Sequence, residues 1–334
     1  MNLKNESRAL FISLIVVVAV PLFLFMWWTG SDFVADPPAL TTPEENLPAQ
    51  LLPDLKTDTS KTSIPINQIL SGGTGKDGIP ALTNPKFTSV SQAELSDDVQ
   101  GILIEIENQK RYYPYNILVW HEIVNDQIGD TPFMVTFCPL CGSAIAFDRR
   151  VDGTTYEFGV SGLLFESNLL MYDRATETLW SQAKGEAVVG DLVGKKLTYL
   201  PFQLLTFENV KKNHPGARVL SSDTGHLRNY QTNPYGNYDE AEELLFPVSV
   251  QDERFKAKEL MYVVPLDGKS AAFPVLQLKE GETTLEKDGV ELIATKENGE
   301  VFISDLSGKR LPGYYEMWFS WVTHHQENGI IFQL

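Results

Sequence analysis

Two cysteines are the residues whose type and spacing are best suited to chemistry. Cys138 and Cys141 are the only cysteines of the 334-residue chain, and they lie in the segment Phe-Cys-Pro-Leu-Cys-Gly. An apolar run at residues 133–137 precedes them and another at 144–147 follows. This order predicts a strand, a tight turn and a second strand, whereas a redox motif of the same spacing commonly opens a helix. The turn would place both sulfurs on one side, as in one knuckle of a thiolate metal site.

A soft metal ion needs one or two ligands beyond a pair of thiolates. His121 comes shortly before the strand that leads to Cys138, while His324 and His325 come near the end of the chain and would return through the fold. Glu122 follows His121 and would orient a ligand or act as a general base. The leading hypothesis is therefore a copper or zinc site formed by both cysteines, His121 and one of His324 and His325.

Other functions of the cysteine pair stay open. A thiol–disulfide oxidoreductase would use Cys138 as its nucleophile and form a reversible disulfide with Cys141. A structural disulfide is also compatible with an oxidising compartment. An inert pair of buried thiols is less consistent with an exported chain that keeps two cysteines and no others.

A second group of polar and aromatic residues follows between residues 171 and 182. The members that could line a ligand cleft are Tyr172, Asp173, Arg174, Trp180 and Gln182. Such a cleft would make the domain a non-catalytic module that binds a small ligand or a peptide. The alternative is a salt-bridged turn over an aromatic core, because these residue types commonly fill those structural roles.

The elements that must position these residues begin after an N-terminal hydrophobic segment. Residues 9–28 contain no charged side chain and, as a helix, would span about 30 Å, the thickness of a hydrocarbon core. Lys4 and Arg8 precede this segment and Asp32 and Asp36 follow it, a charge order that places the N-terminus inside. The sequence therefore predicts a single-pass anchor in the plasma (inner) membrane, with residues 1–8 cytoplasmic and the globular domain extracytoplasmic.

A Pro- and Thr-rich stretch at residues 29–63 is predicted to link the anchor to a globular domain at residues 64–334. The chain carries 44 acidic and 27 basic residues, a formal net charge of -17. This charge repels the phosphate backbone of nucleic acids, so nucleic acid is not an expected partner. The membrane is the partner that the sequence indicates, and no protein partner is identified.

The globular domain is predicted to be β-rich and of the α+β class, with a mostly antiparallel sheet, hairpins and a few short helices. Asp-Gly and Asn-Gly pairs, which favour two-residue hairpin turns, occur at 152–153, 267–268, 288–289 and 298–299. The last two pairs bracket residues 290–295 and predict a three-stranded meander that ends at 301–304. Helices are predicted at 91–99, 202–213 and 316–325.

Several of these segments together resemble one protein family, domain of unknown function 3179, over the region 75–325. The matching segments are WHEIVND at 120–126, FCPLCGSA at 137–144, FGVSGLL at 158–164, MYDRATETLWSQ at 171–182, NPYGNY at 233–238 and WFSWVTHH at 318–325. The resemblance implies an exported or membrane-tethered domain and does not imply an activity. In the last segment, His324-His325 stands where the family is expected to have His-Pro.

Overall fold

Strands are the predominant regular elements of the computed structural model, which describes residues 54–297 and 300–333. The first strands of the described chain are β1 (Ile69–Ser71), β2 (Leu82–Thr83), β3 (Phe87–Ser89), β4 (Gln100–Ile106), β5 (Gln109–Pro114), β6 (Ile123–Ile128), β7 (Thr131–Cys138), β8 (Ser143–Asp148), β9 (Arg150–Val151), β10 (Thr154–Thr155), β11 (Phe158–Phe165) and β12 (Asn168–Asp173). The later strands are β13 (Leu179–Ser181), β14 (Glu186–Val189), β15 (Thr198–Tyr199), β16 (Gln203–Thr206), β17 (Arg218–Leu220), β18 (Leu260–Leu266), β19 (Lys269–Pro274), β20 (Gly281–Lys287), β21 (Val290–Glu297), β22 (Glu300–Ser304), β23 (Tyr314–Met317) and β24 (Gly329–Ile331). The helices of the same residues are α1 (Tyr115–His121), α2 (Phe207–Asn213) and α3 (Trp318–His324), together with 3-10 turns at Ile66–Gln68 and Val90–Gln92.

These strands form five sheets within the described part of the chain. The largest has the order β2–β6–β7–β8–β23–β18–β19–β24, and β15 also pairs with β8. Two five-stranded sheets have the orders β1–β11–β12–β13–β14 and β16–β4–β5–β17–β3, and the small ones are β9–β10 and β20–β21–β22. The parallel pairs are β2–β6, β5–β17 and β19–β24, and the other strand pairs are antiparallel. The predicted β-rich, mostly antiparallel architecture with short helices is confirmed.

The hairpin of β7 and β8 lies at the centre of the largest sheet and carries the two cysteines. Both strands are buried along almost their whole length, and Cys138 pairs with Ser143 across the turn. Strands that are buried on both faces need apolar side chains at successive positions, which explains the apolar runs that flank the cysteines in the sequence. Trp180 and Trp318 belong to the same apolar cluster as both cysteines. The candidate site therefore lies inside the core.

The helices differ in part from the predicted ones. Residues 91–99 contain only the end of the 3-10 turn Val90–Gln92, because the Ser-Asp-Asp run that follows favours local side-chain contacts over a helix. Residues 203–206 pair with β4 as β16, so α2 begins at Phe207, where the Thr206 side chain caps it. Helix α3 falls within the predicted range 316–325. Helix α1 was not predicted, since its apolar residues also fit a strand.

Each Asp-Gly pair that predicts a hairpin forms a turn between two paired strands in the described residues. Asp152 and Gly153 join β9 to β10 with φ angles of 50° and 80°, as a two-residue turn of this kind requires. The Asp-Gly pairs at 267–268 and 288–289 join β18 to β19 and β20 to β21. The predicted meander is present as β20–β21–β22. Its second predicted turn, at 298–299, lies outside the described residues.

The first described residues pack against the sheet that contains β11 to β14. The Lys56 N–H donates to a Glu177 carboxylate oxygen, and the Thr57 hydroxyl donates to the Glu177 carbonyl over 2.6 Å. The Ser63 N–H donates to the Val188 carbonyl over 2.9 Å. Lys56, Thr57 and Ser63, which belong to the predicted linker, are therefore in contact with this sheet region. The predicted anchor at 9–28 lies outside the described residues, and none of the helices within them is long and apolar enough to cross a membrane.

Candidate functional site

The two cysteines, called the thiol pair below, lie at either end of the turn that joins β7 to β8. Cys138 ends β7, and the N–H of Cys141 donates to the Cys138 carbonyl over 3.3 Å. Gly142 closes the turn with a φ of 56°, a left-handed conformation that favours glycine. Both cysteines are free thiols, and they are 2% and 0% exposed. The strand–turn–strand prediction for this segment is confirmed.

A cluster of polar side chains surrounds the Cys141 sulfur inside the core. Asn168 Nδ2 donates to Cys141 Sγ over 2.9 Å, and Ser143 Oγ lies 3.1 Å from the same sulfur. The Ser143 hydroxyl and the Asn168 amide both donate to Gln182 Oε1, over 2.6 and 2.9 Å. Gln182 Nε2 donates to Thr136 Oγ1 over 3.1 Å. We call Thr136, Ser143, Asn168 and Gln182 the amide network.

Backbone groups fix the orientation of both amides in this network. Asn168 Oδ1 accepts from the Ala183 N–H over 3.0 Å, so the Asn168 NH₂ group must face the sulfur. Gln182 Nε2 donates to the Ser143 carbonyl over 3.2 Å, so the Gln182 oxygen must face the Ser143 hydroxyl. A donor that is already oriented is effective because little reorganisation is needed when the sulfur becomes charged.

The two thiols differ in acidity. Burial alone would raise the pKa of Cys141, but hydrogen bonds from Cys138, from Asn168 and from the backbone N–H of Ser143 outweigh burial and lower that pKa. Burial raises the pKa of Cys138 well above its ordinary value, and the neighbouring Cys141 adds to the rise. The polar contacts therefore favour a thiolate on Cys141. Sequence reasoning assigned the nucleophile to Cys138, because it had no information about which sulfur the amide network contacts.

Glu122 is a buried carboxyl group beside the thiol pair. It follows α1 with a φ of 56°, which is uncommon for a residue other than glycine, and it is 6% exposed. The Tyr235 hydroxyl donates to Glu122 Oε1 over 3.1 Å. Burial raises the pKa of Glu122 to about 8; the Tyr235 hydrogen bond opposes this rise, and the nearby Cys141 adds to it. An unusual backbone conformation and a shifted pKa, found together at one buried carboxyl group, are typical of a functional residue.

His121 lies at the end of α1, and its ring is engaged on both sides. Its Nδ1 lies 2.7 Å from the Pro80 carbonyl oxygen, and its Nε2 lies 2.7 Å from the Tyr230 hydroxyl. Burial lowers the pKa of His121 to about 4, although the hydrogen bond to Pro80 opposes this effect. Because both ring nitrogens already have partners, neither is free for a metal ion at the thiol pair.

His324 ends helix α3, His325 follows it, and both have other neighbours. His324 Nδ1 lies 2.8 Å from the Ser320 carbonyl oxygen, and the His325 ring lies 5.8 Å from the Trp321 ring. Across residues 54–297 and 300–333, no three His, Cys, Asp or Glu side chains converge as a metal site requires. The residues brought together at the sulfurs therefore do not fit a copper or zinc site completed by histidine.

The predicted cleft residues do not share one cleft. Gln182 belongs to the amide network in the core. The Tyr172 hydroxyl donates to Asp77 over 2.6 Å, and Arg174 binds both oxygens of the same carboxylate, over 2.9 and 3.0 Å. Arg174 also pairs with Glu157 over 3.1 Å. Tyr172 and Arg174 are therefore occupied by an ion-pair cluster at the edge of the β11–β14 sheet.

Asp173 and Trp180 have structural contacts in the same segment. Asp173 accepts from the Thr176 N–H over 2.6 Å and thereby stabilises the turn that follows β12. It also accepts from Trp180 Nε1 over 3.1 Å. Trp180 is fully buried and packs edge-on against Phe158. The segment thus forms a salt-bridged turn over an aromatic core, the alternative that its sequence left open.

A groove of about 480 Å³ borders the turn that carries the thiol pair. Phe137, Pro139 and Gly142 line it on the side of the turn, and Met317 lines it beside Gly142. The remaining lining includes five tyrosines, Tyr115, Tyr230, Tyr235, Tyr238 and Tyr315. Tyr235 lines the groove and also hydrogen-bonds Glu122. The groove is therefore adjacent both to the turn and to the buried carboxyl group.

The chain matches the profile of one protein family. The profile described as protein of unknown function (DUF3179) matches residues 76–308. The chain belongs to this family. The range that matches the DUF3179 profile contains the thiol pair, Glu122 and the whole amide network, and it ends before α3 and its two histidines. No curated protein and no solved structure matches the chain.

Most residues of the amide network, which lies in the range that matches the DUF3179 profile, were not identified from the sequence. Asn168 lies 27 residues after Cys141 and reaches it only because the β11–β12 hairpin folds against the turn. The polar residues Glu166 and Ser167, which have φ angles of 52° and 59°, interrupt two apolar runs and so signal that hairpin. Nothing in the local pattern indicates which buried atom the Asn168 side chain contacts.

Proposed function

We propose that this domain carries out thiol–disulfide exchange through Cys138 and Cys141. The observation that carries the proposal is the Asn168 amide, which the Ala183 backbone holds so that it donates to Cys141 Sγ over 2.9 Å. A hydrogen bond to the charged form of a sulfur favours the thiolate, and the thiolate is the nucleophile in disulfide exchange. A second thiol three residues away supplies the partner that such a reaction needs.

Exchange begins on the sulfur whose pKa is lowered. The Cys141 thiolate attacks one sulfur of a substrate disulfide, a mixed disulfide forms, and the other substrate sulfur leaves with the electron pair of the broken bond. Glu122, whose pKa is about 8, is largely protonated at neutral pH and gives its proton to that leaving sulfur. The first product is a thiol, and Glu122 is left as a carboxylate.

The second step uses the same carboxylate as a base. Glu122 accepts the proton of the Cys138 thiol, and the Cys138 sulfur attacks Cys141 Sγ. The mixed disulfide breaks, and the remaining substrate sulfur leaves with the electron pair. The two cysteines are oxidised to one disulfide while the substrate disulfide is reduced to one thiol and one thiolate, and the reverse sequence oxidises a substrate dithiol.

The groove beside the turn gives a substrate its route to the thiol pair. Pro139 lies in its lining next to the cysteines, and Tyr235 connects it to Glu122. Because both sulfurs are buried, exchange requires the turn to separate from Met317, whose N–H donates to the Cys141 carbonyl over 2.9 Å. The aromatic lining suits an apolar stretch around a substrate disulfide.

Equilibration of the full-length protein with reduced and oxidised glutathione tests this function. Thiols that remain free at each ratio are counted by alkylation after unfolding. We expect both thiols of the wild type to disappear together as the buffer becomes oxidising and to return together on reduction. In Cys138→Ser and Cys141→Ser, which keep the size of the side chains, we expect no internal disulfide.

Two results would contradict thiol–disulfide exchange. One is a thiol pair that stays fully reduced in buffers that oxidise ordinary dithiols. The other is a protein that holds one equivalent of zinc or copper, loses it in both serine variants and forms no disulfide. The second result would restore the metal-binding hypothesis with ligands other than the histidines.

A further inference from the structure

Three buried side-chain atoms near helix α3 have no hydrogen-bond partner among the described residues. They are Glu316 Oε2, His324 Nε2 and Ser167 Oγ. The three residues are 0%, 6% and 0% exposed. Native cores rarely leave such atoms unsatisfied, and ordered water is the usual partner where several polar groups line one buried space.

The side chains that carry these atoms are linked to one another. The Ser320 hydroxyl donates to Glu316 Oε1 over 2.6 Å, and the Ser320 carbonyl oxygen lies 2.8 Å from His324 Nδ1. The His324 ring packs edge-on against Phe165, with ring centres 6.2 Å apart. Ser167 follows two residues later, at the tip of the β11–β12 hairpin. The unpartnered atoms therefore border the contact between α3 and this hairpin.

Glu316 is also a neighbour of the thiol pair. Tyr315 of β23 is opposite Ala144 of β8, so the antiparallel register places Glu316 opposite Ser143. Side chains alternate between the faces of a strand, so Glu316 shares the face of Ser143, which contacts Cys141. Burial, together with the nearby Cys141, raises the pKa of Glu316 well above its usual value, although the Ser320 hydrogen bond opposes this.

We propose that Glu316 exchanges a proton with the thiol pair, a role that rests on the thiol–disulfide exchange proposed above. Water molecules held between Glu316, Ser167 and His324 carry that proton to and from solvent. The unpartnered oxygens and nitrogen are the groups that bind this water. Asn168 follows Ser167 directly, so the same hairpin orients the sulfur on one side and the water on the other.

A proton from Glu316 supplies the one that the second exchange step still needs. When the last substrate sulfur leaves Cys141 with its electron pair, the Glu316 carboxylic acid gives it a proton and becomes a carboxylate. Water then returns a proton from solvent to Glu316. In the reverse direction, a substrate thiol first gives its proton to the Glu316 carboxylate. Its sulfur then attacks Cys141 in the Cys138–Cys141 disulfide. The Cys138 sulfur leaves and takes a proton from Glu122, so that it becomes a thiol.

Other titratable groups lie in the region of Glu316, and their contributions to a pH profile must be distinguished from that of Glu316. They are Glu122 after α1, the thiol pair, Tyr199 on β15, Tyr314 on β23, Lys184 after β13, and His324 and His325 on α3. Burial lowers the pKa of His324 to about 4 and that of His325 to about 3. Both imidazoles are therefore neutral at neutral pH and add no charge beside Glu316.

Glu316→Gln tests the role, because glutamine keeps the shape and the oxygen that accepts from Ser320 while it removes the acidic proton. The readout is the rate of exchange of the full-length protein with oxidised glutathione across pH. We expect this variant to react about a hundredfold more slowly, the lower end of the usual contribution of a positioned acid. Ser167→Ala should slow the reaction by a smaller factor. Glu300→Gln is the matched control, since burial also raises the pKa of Glu300 but it lies on β22 beside Gln203.

Infrared spectra of the wild type give a test that needs no buried substitution at Glu316. The reduced-minus-oxidised spectrum should show a frequency shift of a carboxylic-acid band, because the Cys141 thiolate beside Glu316 exists only in the reduced state, and this shift should persist in Glu122→Gln. If that shift is absent, or if Glu316→Gln matches the wild type in rate and pH profile while the disulfide forms reversibly, the role of Glu316 is overturned and thiol–disulfide exchange stands. If the wild type forms no reversible disulfide, the proposed function itself fails.

Discussion

Asn168 donates to the Cys141 sulfur over 2.9 Å across the boundary between two sheets. Cys141 lies in the turn of the largest sheet, and Asn168 begins β12 of a five-stranded sheet. Ala183, which follows β13 of that second sheet, fixes the Asn168 amide through its N–H. The environment of the sulfur is therefore set by how the two sheets pack, so a change far from the cysteines in sequence can alter their chemistry.

Replacement of Asn168 by alanine should raise the pKa of the Cys141 thiol. A hydrogen bond to a charged group contributes about 1.5–3 kcal/mol, which corresponds to about one to two pKa units. The pKa is measured from the ultraviolet absorbance of the thiolate, because this readout does not require a reagent to reach the buried sulfur. Asn125→Ala is the matched control: it also removes buried hydrogen bonds, to Phe158, and should leave the thiol pKa unchanged.

Glu122→Gln should change how stability depends on pH. The carboxyl pKa is 4.5 in its ordinary state and about 8 in the folded protein. Between these values the unfolded chain ionises while the folded one stays protonated, so the free energy of unfolding falls as pH rises from about 4.5 to about 8. The loss is on the order of a few kcal/mol. Urea unfolding at a series of pH values should show this decline in the wild type and less of it in the variant; parallel curves would count against a buried, protonated Glu122.

Gly142→Ala should destabilise the turn more than Gly153→Ala does. Both glycines have positive φ, so both substitutions carry backbone strain of about 1–2 kcal/mol. At Gly142 an added Cβ would also lie 3.1 Å from the Met317 side chain, whereas at Gly153 it would meet no atom within 4 Å. Denaturant unfolding should show the larger loss at Gly142, and Met317→Ala should recover part of it. Equal losses at the two glycines would contradict close packing of Met317 on the turn.

Arg174→Gln should have little effect on either stability or thiol chemistry. Arg174 is partly exposed, and its ion pairs with Asp77 and Glu157 are the kind that contribute about 0–1 kcal/mol. We expect a correspondingly small shift in the urea midpoint and an unchanged rate of exchange with glutathione. A variant that folds normally but loses exchange would show that the Tyr172–Arg174 segment takes part in binding a substrate.

The strands that hold the cysteines could be predicted because their signals are local. A continuous apolar run before Cys138, a second one after Gly142 and a glycine at the left-handed position all lie within a few residues of one another. The meander was predictable for the same reason, since Asp-Gly pairs specify two-residue turns. Helix α1 was missed because it is only seven residues long and its buried residues Ile117, Leu118 and Val119 are consecutive, which does not resemble an amphipathic helix.

The site could be predicted only in part, because its chemistry depends on distant pairs. The cysteines and Glu122 were named as candidates from their type and position. His121 was assigned to the sulfurs because it is near Cys138 in sequence, yet α1 directs its ring to Pro80 and Tyr230. Asn168 was overlooked although it contacts Cys141, since a buried asparagine gives no sign in the sequence of the atom to which it donates.

The most direct test of the central claim is to locate a trapped mixed disulfide. Full-length Cys138→Ser is exposed to oxidised glutathione, digested and analysed by mass spectrometry, with Cys141→Ser treated in parallel. If Cys141 is the thiolate nucleophile, glutathione should be found on Cys141 of the first variant and much less on Cys138 of the second. Glutathione on neither cysteine, or more on Cys138, would contradict the assignment.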